Sequence, residues 1–148
     1  MGGVKVKAAV LHKPAPIEGK PLSIDEVPVP AIGKGQVLIK VGACGVCRSN
    51  LHMIEGDWLA RRVPSKLPII PGHELVGRVV EAGEGVESVA VGDAVGVQPL
   101  WSSCGKCEFC LTGREELCAT KNITGETVDG GYAEYTVADA KYVYPVPP

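Results

Sequence analysis

Cys104, Cys107, Cys110 and Cys118 follow the spacing C-x2-C-x2-C-x7-C. Two residues between cysteines let a turn aim both sulfurs at one point, and Gly105 relieves the backbone inside the first such turn. Four thiolates at about 2.3 Å from a metal make a closed tetrahedral zinc site with no open position, so its work is structural. It staples a lobe, here 101–121, too small to bury its own core. Four reduced core thiols, two disulfides or an iron–sulfur cluster use the same residues. The polar neighbours Lys106, Glu108, Arg114 and Glu115 fit a surface lobe better than a core. A ferredoxin-type run would carry a proline after its last cysteine, and Ala119 follows Cys118.

A second constellation joins Cys47-Arg48-Ser49-Asn50-Leu51-His52 to Pro71-Gly72-His73-Glu74-Leu75-Val76-Gly77. Cys47 and His73 offer one sulfur and one nitrogen ligand to a second zinc. Ser49 and His52 are three residues apart, so a helix would place hydroxyl and imidazole on one face. Taken singly, a cysteine or a histidine is more often a packing residue. Their order beside the cysteine quartet is what gives them weight. Cys44, three residues before Cys47, resembles a redox pair in spacing only. Such pairs need a βαβ context that is missing here, so Cys44 reads as a small buried hydrophobe. His12 reads as a solvated surface residue.

The elements that must position these groups are short. The chain has 148 residues with 45% hydrophobic and 22% charged side chains, enough for one packed domain. Nineteen glycines and 12 prolines leave little room for long helices. Period-two patterning predicts strands over 4–11, 22–27, 37–41, 75–81, 94–97 and 131–137, with a last one over 142–144. The one good helix candidate runs from Cys47 to Glu55 and stops at Gly56. Many short strands divided by glycine turns predict a mainly β fold, an antiparallel barrel or sandwich. The net charge of −2 argues against a nucleic-acid or anionic-membrane partner. No run approaches the roughly 18 apolar residues of a membrane helix, and the N-terminus lacks a signal-peptide core. The expected compartment is the cytoplasm, where clustered cysteines are metal ligands or thiols rather than disulfides.

Together these motifs resemble the N-terminal catalytic, GroES-like domain of the zinc-dependent medium-chain alcohol dehydrogenases. The resemblance rests on Gly45-Val46-Cys47-Arg48-Ser49, Pro71-Gly72-His73-Glu74-Leu75-Val76-Gly77, Val91-Gly92-Asp93, the quartet and Asp129-Gly130-Gly131-Tyr132-Ala133-Glu134-Tyr135, in family order over nearly the whole chain. It implies a GroES-like antiparallel β-barrel with a short helix and a zinc-stapled lobe, spanning 1–148 as one domain. It implies an oxidoreductase that converts an alcohol to an aldehyde or ketone, with NAD(P)+ as hydride acceptor. By this resemblance Cys47 and His73 are ligands of the catalytic zinc, and Glu74 matches a carboxylate that can approach it. A third ligand follows, in the family, beyond Pro148. Ser49 resembles the hydroxyl that takes the alcohol proton, and His52 the outer end of the relay, where an imidazole suits release to water. Arg48 matches a position that meets the cofactor pyrophosphate. Trp58 and Trp101 fall where the family lines the alcohol pocket, which two indoles would narrow toward modest apolar alcohols.

One position departs from the pattern. Asn50 stands where the family commonly has an aspartate that accepts a hydrogen bond from the metal-bound imidazole, and an amide oxygen accepts without charge. No G-x-G-x-x-G follows a strand; Gly83-Glu84-Gly85 lacks the third glycine and sits in an expected hairpin. The family's Rossmann domain is thus expected to be absent from residues 1–148 and the isolated chain to be inactive, with the full-length enzyme a homo-oligomer. The competing expectation is a stand-alone, non-enzymatic zinc-binding GroES-like module.

Overall fold

The computed structural model describes residues 4–147. Its centre is a five-stranded antiparallel sheet in the order β8-β3-β4-β5-β9. These strands are β3 (Gln36–Cys44), β4 (Leu75–Ala82), β5 (Ala94–Val97), β8 (Tyr135–Asp139) and β9 (Val143–Pro145). β1 (Lys5–Leu11) and β2 (Leu22–Pro28) form a separate hairpin registered from Lys5↔Pro28 to Leu11↔Leu22. That hairpin docks through backbone bonds at both ends. Leu11 and Ile69 exchange N–H···O contacts of 2.8 and 3.0 Å, and Ala9 N–H donates to Tyr132 O at 2.7 Å. The result is a curled half-barrel, as the patterning predicts.

Alternation places the core. β5 and β8 bury every second residue, and Val37, Ile39, Leu75, Val79, Val95, Val97, Ala138 and Val143 meet inside the sheet. Two register shifts in β3 against β4, at Leu38/Ile39 and Val41/Ala43, supply the curl. Gly77 in β4 sits between them. A Cβ there would run into the backbone oxygen of Lys40 and the side chain of Ile39. Gly77→Ala is therefore expected to destabilise the chain by about 3 kcal/mol, because backbone rather than a flexible side chain must yield. A denaturant midpoint unchanged from the parent would refute that.

A smaller core lies under α1 (Arg48–Glu55), whose Met53 and Ile54 pack with Leu11 and Ile69. Asn50, Met53 and Ile54 recur at helical spacing and form its buried face. The helix ends at Gly56, whose φ of 90° closes the last turn by N–H bonds to His52 O and Met53 O. Predicted and observed elements differ at two places. Residues 131–134 are not strand, because Gly130, Gly131 and Tyr132 spend their N–H groups on the 70–72 loop instead. The patterning also leaves out β6 (Leu100–Ser102), β7 (Asn122–Ile123) and α2 (Glu108–Leu111), which are too short to carry a period. Among the described residues no helix is long and apolar enough to cross a membrane.

Candidate functional site

The quartet sits on the loop that β6 and β7 close like a clasp, with Leu100 opposite Ile123 and Ser102 opposite Asn122. Cys107 caps α2 and Cys110 lies within it. Gly105, with φ of 68°, makes the turn that carries Cys104 back toward Cys107. The four sulfurs lie within 4.8 Å of one another. Cys107 and Cys110 Sγ are 3.4 Å apart, and Cys104 and Cys110 Sγ 3.8 Å. A tetrahedron of thiolates around zinc has edges of about 3.8 Å, so this arrangement fits the ion without rebuilding. All six cysteines are free thiols, so the four sulfurs of the quartet are available as ligands. The Cys118 thiol accepts the Cys104 N–H at 3.5 Å and contacts Thr120 Oγ1 at 3.6 Å, and these donors hold it down to about 6, the thiolate form a metal needs.

The second centre forms where the N-terminus of α1 meets the 71–74 loop. Cys47 is the N-cap of α1, and the buried His73 precedes β4. Cys47, His73 and Glu74 bring a sulfur, a nitrogen and a carboxylate oxygen within 4.8 Å of one another. Glu74 is held by Gly45, whose N–H donates to Glu74 O at 2.8 Å. Ser49 Oγ lies 3.0 Å from both Cys47 Sγ and His73 Nε2. Burial holds the His73 imidazole below its ordinary range, partly offset by the Glu74 carboxylate, so the ring is kept in the neutral form that binds metal. A soft thiolate, a neutral imidazole and a neighbouring carboxylate are zinc donors, and three of them leave a position open.

His52 lies one turn along α1 from Ser49, half-exposed, with Nδ1 2.7 Å from Asp57 Oδ2. Trp58 stacks 5.5 Å from its ring and packs on the α1 core. Arg48 is exposed at the first position of the helix. Trp101 is half-buried in β6, donating its indole N–H to Val137 O at 3.0 Å. It lines a cavity of about 450 Å³ with Val10, Ile70, Asp129 and Val137, whose walls include none of Cys47, Ser49, His73 or Glu74. Cys44 packs half-buried against the sheet core, and burial pushes its thiol up, as suits a small hydrophobe. His12 is exposed and pairs with Asp25 at 2.6 Å.

Three residues receive no role from the motifs, although Tyr132 lies within one of them. Tyr132 lies over the buried end of the centre, its OH 3.3 Å from Gly45 O and 3.5 Å from Asn50 Oδ1. Asp57 holds His52, and its spacing from the helix end could have marked it. Glu126 approaches His73 Nδ1 at 3.9 Å across 53 residues of chain, a proximity that only the fold creates.

The profile of the alcohol dehydrogenase GroES-like domain matches residues 33–148. An alcohol dehydrogenase of Geobacillus stearothermophilus is 51% identical over 142 residues, 96% of this chain and 40% of that protein. The cobalt- and zinc-bound thermostable alcohol dehydrogenase of Pyrobaculum aerophilum superposes with a TM-score of 0.86 at 35% identity, over 98% of this chain and 42% of that one. CAD of Helicobacter pylori, solved with NADP(H), superposes with a TM-score of 0.81 at 30% identity, over 97% and 42%. The chain thus spans about 40% of the length of its curated alcohol dehydrogenase relatives. With the half-barrel, the cysteine lobe and the profile match in agreement, the chain belongs to the alcohol dehydrogenase GroES-like domain family.

Proposed function

We propose that residues 1–148 are the catalytic domain of a zinc-dependent alcohol dehydrogenase acting on a small alcohol or aldehyde with NAD(P) as hydride carrier. The observation that carries the reading is the meeting of Cys47 Sγ, Ser49 Oγ and His73 Nε2 within hydrogen-bond distance, beside Glu74. Cys47, His73 and Glu74 would hold the catalytic zinc, and Cys104, Cys107, Cys110 and Cys118 the structural one. Zinc bound at the first set would supply Lewis-acid polarisation of the alcohol oxygen.

The rest is done by the chain's own side chains. Ser49 Oγ takes the substrate proton, because it sits against both proposed ligands. His52, half-exposed and held through Nδ1 by Asp57, passes it to water. Arg48, exposed beside Cys47, offers its charged fork to the pyrophosphate of the nicotinamide cofactor. Trp58 packs on the His52 ring and restrains it, whereas Trp101 lines a separate cavity that none of the proposed ligands borders, so a pocket role for Trp101 has no support from this geometry. The nucleotide-binding fold belongs to the part of the relatives outside the matched segment. A homo-oligomer in the cytoplasm is the assembled form on this reading.

The test joins this chain to the cofactor-binding remainder of the Geobacillus relative and follows alcohol-dependent NAD(P)+ reduction. The 148-residue chain alone should show none, and the fusion should turn over. Ser49→Ala in the fusion should lower turnover by roughly 10²–10⁴-fold, the usual worth of a positioned proton acceptor, with zinc content retained. A folded, zinc-replete fusion without turnover would overturn the enzyme reading and favour a stand-alone zinc-binding module.

A further inference from the structure

The carboxylate that Asn50 lacks is present at another position of the chain. Asn50 is 1% exposed and reaches His73 Nδ1 with its amide nitrogen at 3.5 Å, while its oxygen takes the Tyr132 hydroxyl at 3.5 Å. An amide nitrogen only donates, so in this arrangement Nδ1 accepts and the ring proton sits on Nε2. From Nε2 the proton points to Ser49 Oγ at 3.0 Å, and Ser49 in turn points to Cys47 Sγ at 3.0 Å. This chain of protons fills the space between the groups that would hold a metal.

A metal on Nε2 reverses the ring. The proton must then sit on Nδ1, where Asn50 as oriented presents a donor to a donor, and with its amide turned over offers only an uncharged oxygen. Nδ1–H needs an acceptor, and a carboxylate is the one that also strengthens the imidazole as a ligand. Glu126 provides it: Oε1 lies 3.9 Å from Nδ1, and the side chain is only 17% exposed. Among the described residues its carboxylate makes no hydrogen bond of its own. Lys121 offsets only part of the cost of its burial. A mostly buried carboxylate without a protein donor is costly, and a side-chain rotation that closes the gap by about 1 Å toward Nδ1–H would bring both groups to hydrogen-bond distance.

We infer that Glu126 is the positioning residue of this centre, the carboxylate that fixes the tautomer and orientation of His73 in place of an acid at position 50. Glu126 acts through His73 and has no contact with the reacting groups. The inference rests on the reading that Cys47 and His73 hold a metal. It also explains why an amide is tolerated at position 50: the charge has been supplied from the 124–128 turn, which Gly125 and Gly130 pack directly against Pro71 and Gly72.

The test measures Zn²⁺ affinity by chelator competition, and the absorption bands of bound Co²⁺, in the 148-residue chain with the quartet already loaded. Glu126→Gln should weaken Zn²⁺ at the second centre by about tenfold and Glu126→Leu by up to about a hundredfold, the range for losing such a partner. Asn50→Asp should restore most of the loss in either variant and return the Co²⁺ bands toward the parent's. With a purely structural glutamate, Asn50→Asp would tighten Zn²⁺ by the same factor in the parent as in either variant; the gain should instead be clearly smaller in the parent, where Glu126 already supplies the charge. Because both variants remove a poorly solvated charge, the metal-free chain should unfold at the same denaturant concentration or higher, which separates lost affinity from lost folding. Unchanged Zn²⁺ affinity in Glu126→Leu, or failure of Asn50→Asp to rescue, overturns the inference alone. A parent chain that takes up one Zn²⁺ and no more overturns the metal-centre reading and this inference together.

Discussion

Cys104→Ser should strip the lobe of its metal and unfold 101–121 while leaving the barrel intact. The two-residue spacings and the 3.4 and 3.8 Å sulfur separations mean that all four ligands are preassembled on one short loop. The lobe has little else to hold it. Within its loop only Cys118 is fully buried, and Leu111 and Leu117 are exposed. Structural zinc sites contribute on the order of 10–16 kcal/mol of apparent binding free energy, far more than such a loop can recover from apolar burial. The parent should carry about one tightly held zinc per chain at the quartet, and Cys104→Ser almost none there. Hydrogen exchange should rise throughout 101–121 and stay slow at Val37, Ile39 and Val79 in the sheet core. A metal-free parent with disulfide-bonded thiols, or a variant whose lobe stays protected, would refute the assignment.

The sheet is independent of the lobe because its stability comes from elsewhere. β3, β4 and β8 bury their apolar faces on one another through registers that never pass through 101–121. Among the described residues two side-chain hydrogen bonds tie the two parts together: Ser103 Oγ to Tyr142 OH at 2.7 Å and the Trp101 indole N–H to Val137 O at 3.0 Å. They orient the lobe without sharing its core.

What the residues alone disclose follows from how local each feature is. The quartet is legible because its ligands lie within fifteen positions and the turn residue Gly105 lies between two of them. α1 is legible because its buried face repeats at helical spacing and Gly56 closes it. The strands with clean alternation are legible too. The tail of the 131–137 segment forms a strand and its head does not, because Gly130 and Gly131 lie against the 70–72 loop, a contact between distant segments that no alternation encodes. The second centre divides in the same way. Cys47 and Ser49 are local to one helix end, and His73 reaches them only because β3 and β4 pair. Glu126 and Tyr132 close the centre from behind, and their role is invisible until the 124–132 segment folds over the 70–73 loop. Asn50 is instructive for the same reason. Read in isolation it is a weakened support for the imidazole, but in the fold its oxygen faces Tyr132 and the carboxylate nearest His73 Nδ1 is that of Glu126.

Two metal centres built so differently should release their ions separately. The quartet offers four thiolates in a closed set. The proposed second set offers Cys47, His73 and Glu74, of which Glu74 is exposed, and three ligands would leave one coordination position open to water. Dissociation from the second set requires fewer bonds to break, and the open position lets a chelator attach before the ion leaves. In the 148-residue chain loaded with two zincs, titration with a chelator and a zinc-sensitive dye should therefore show two phases. Their midpoints should differ by at least about a hundredfold in chelator strength, or roughly 3 kcal/mol at 1.4 kcal/mol per tenfold. His73→Ala should abolish the early phase and leave the late one unmoved, because no residue of the quartet contacts His73 in the fold. The same variant removes the partner of Ser49 at 3.0 Å, so any early phase that survives in it would have to come from ligands outside this centre. Release of both equivalents in a single step from the parent would show that a further strong ligand completes the second set, and Cys44, at the end of β3 three residues before Cys47, would be the first to replace.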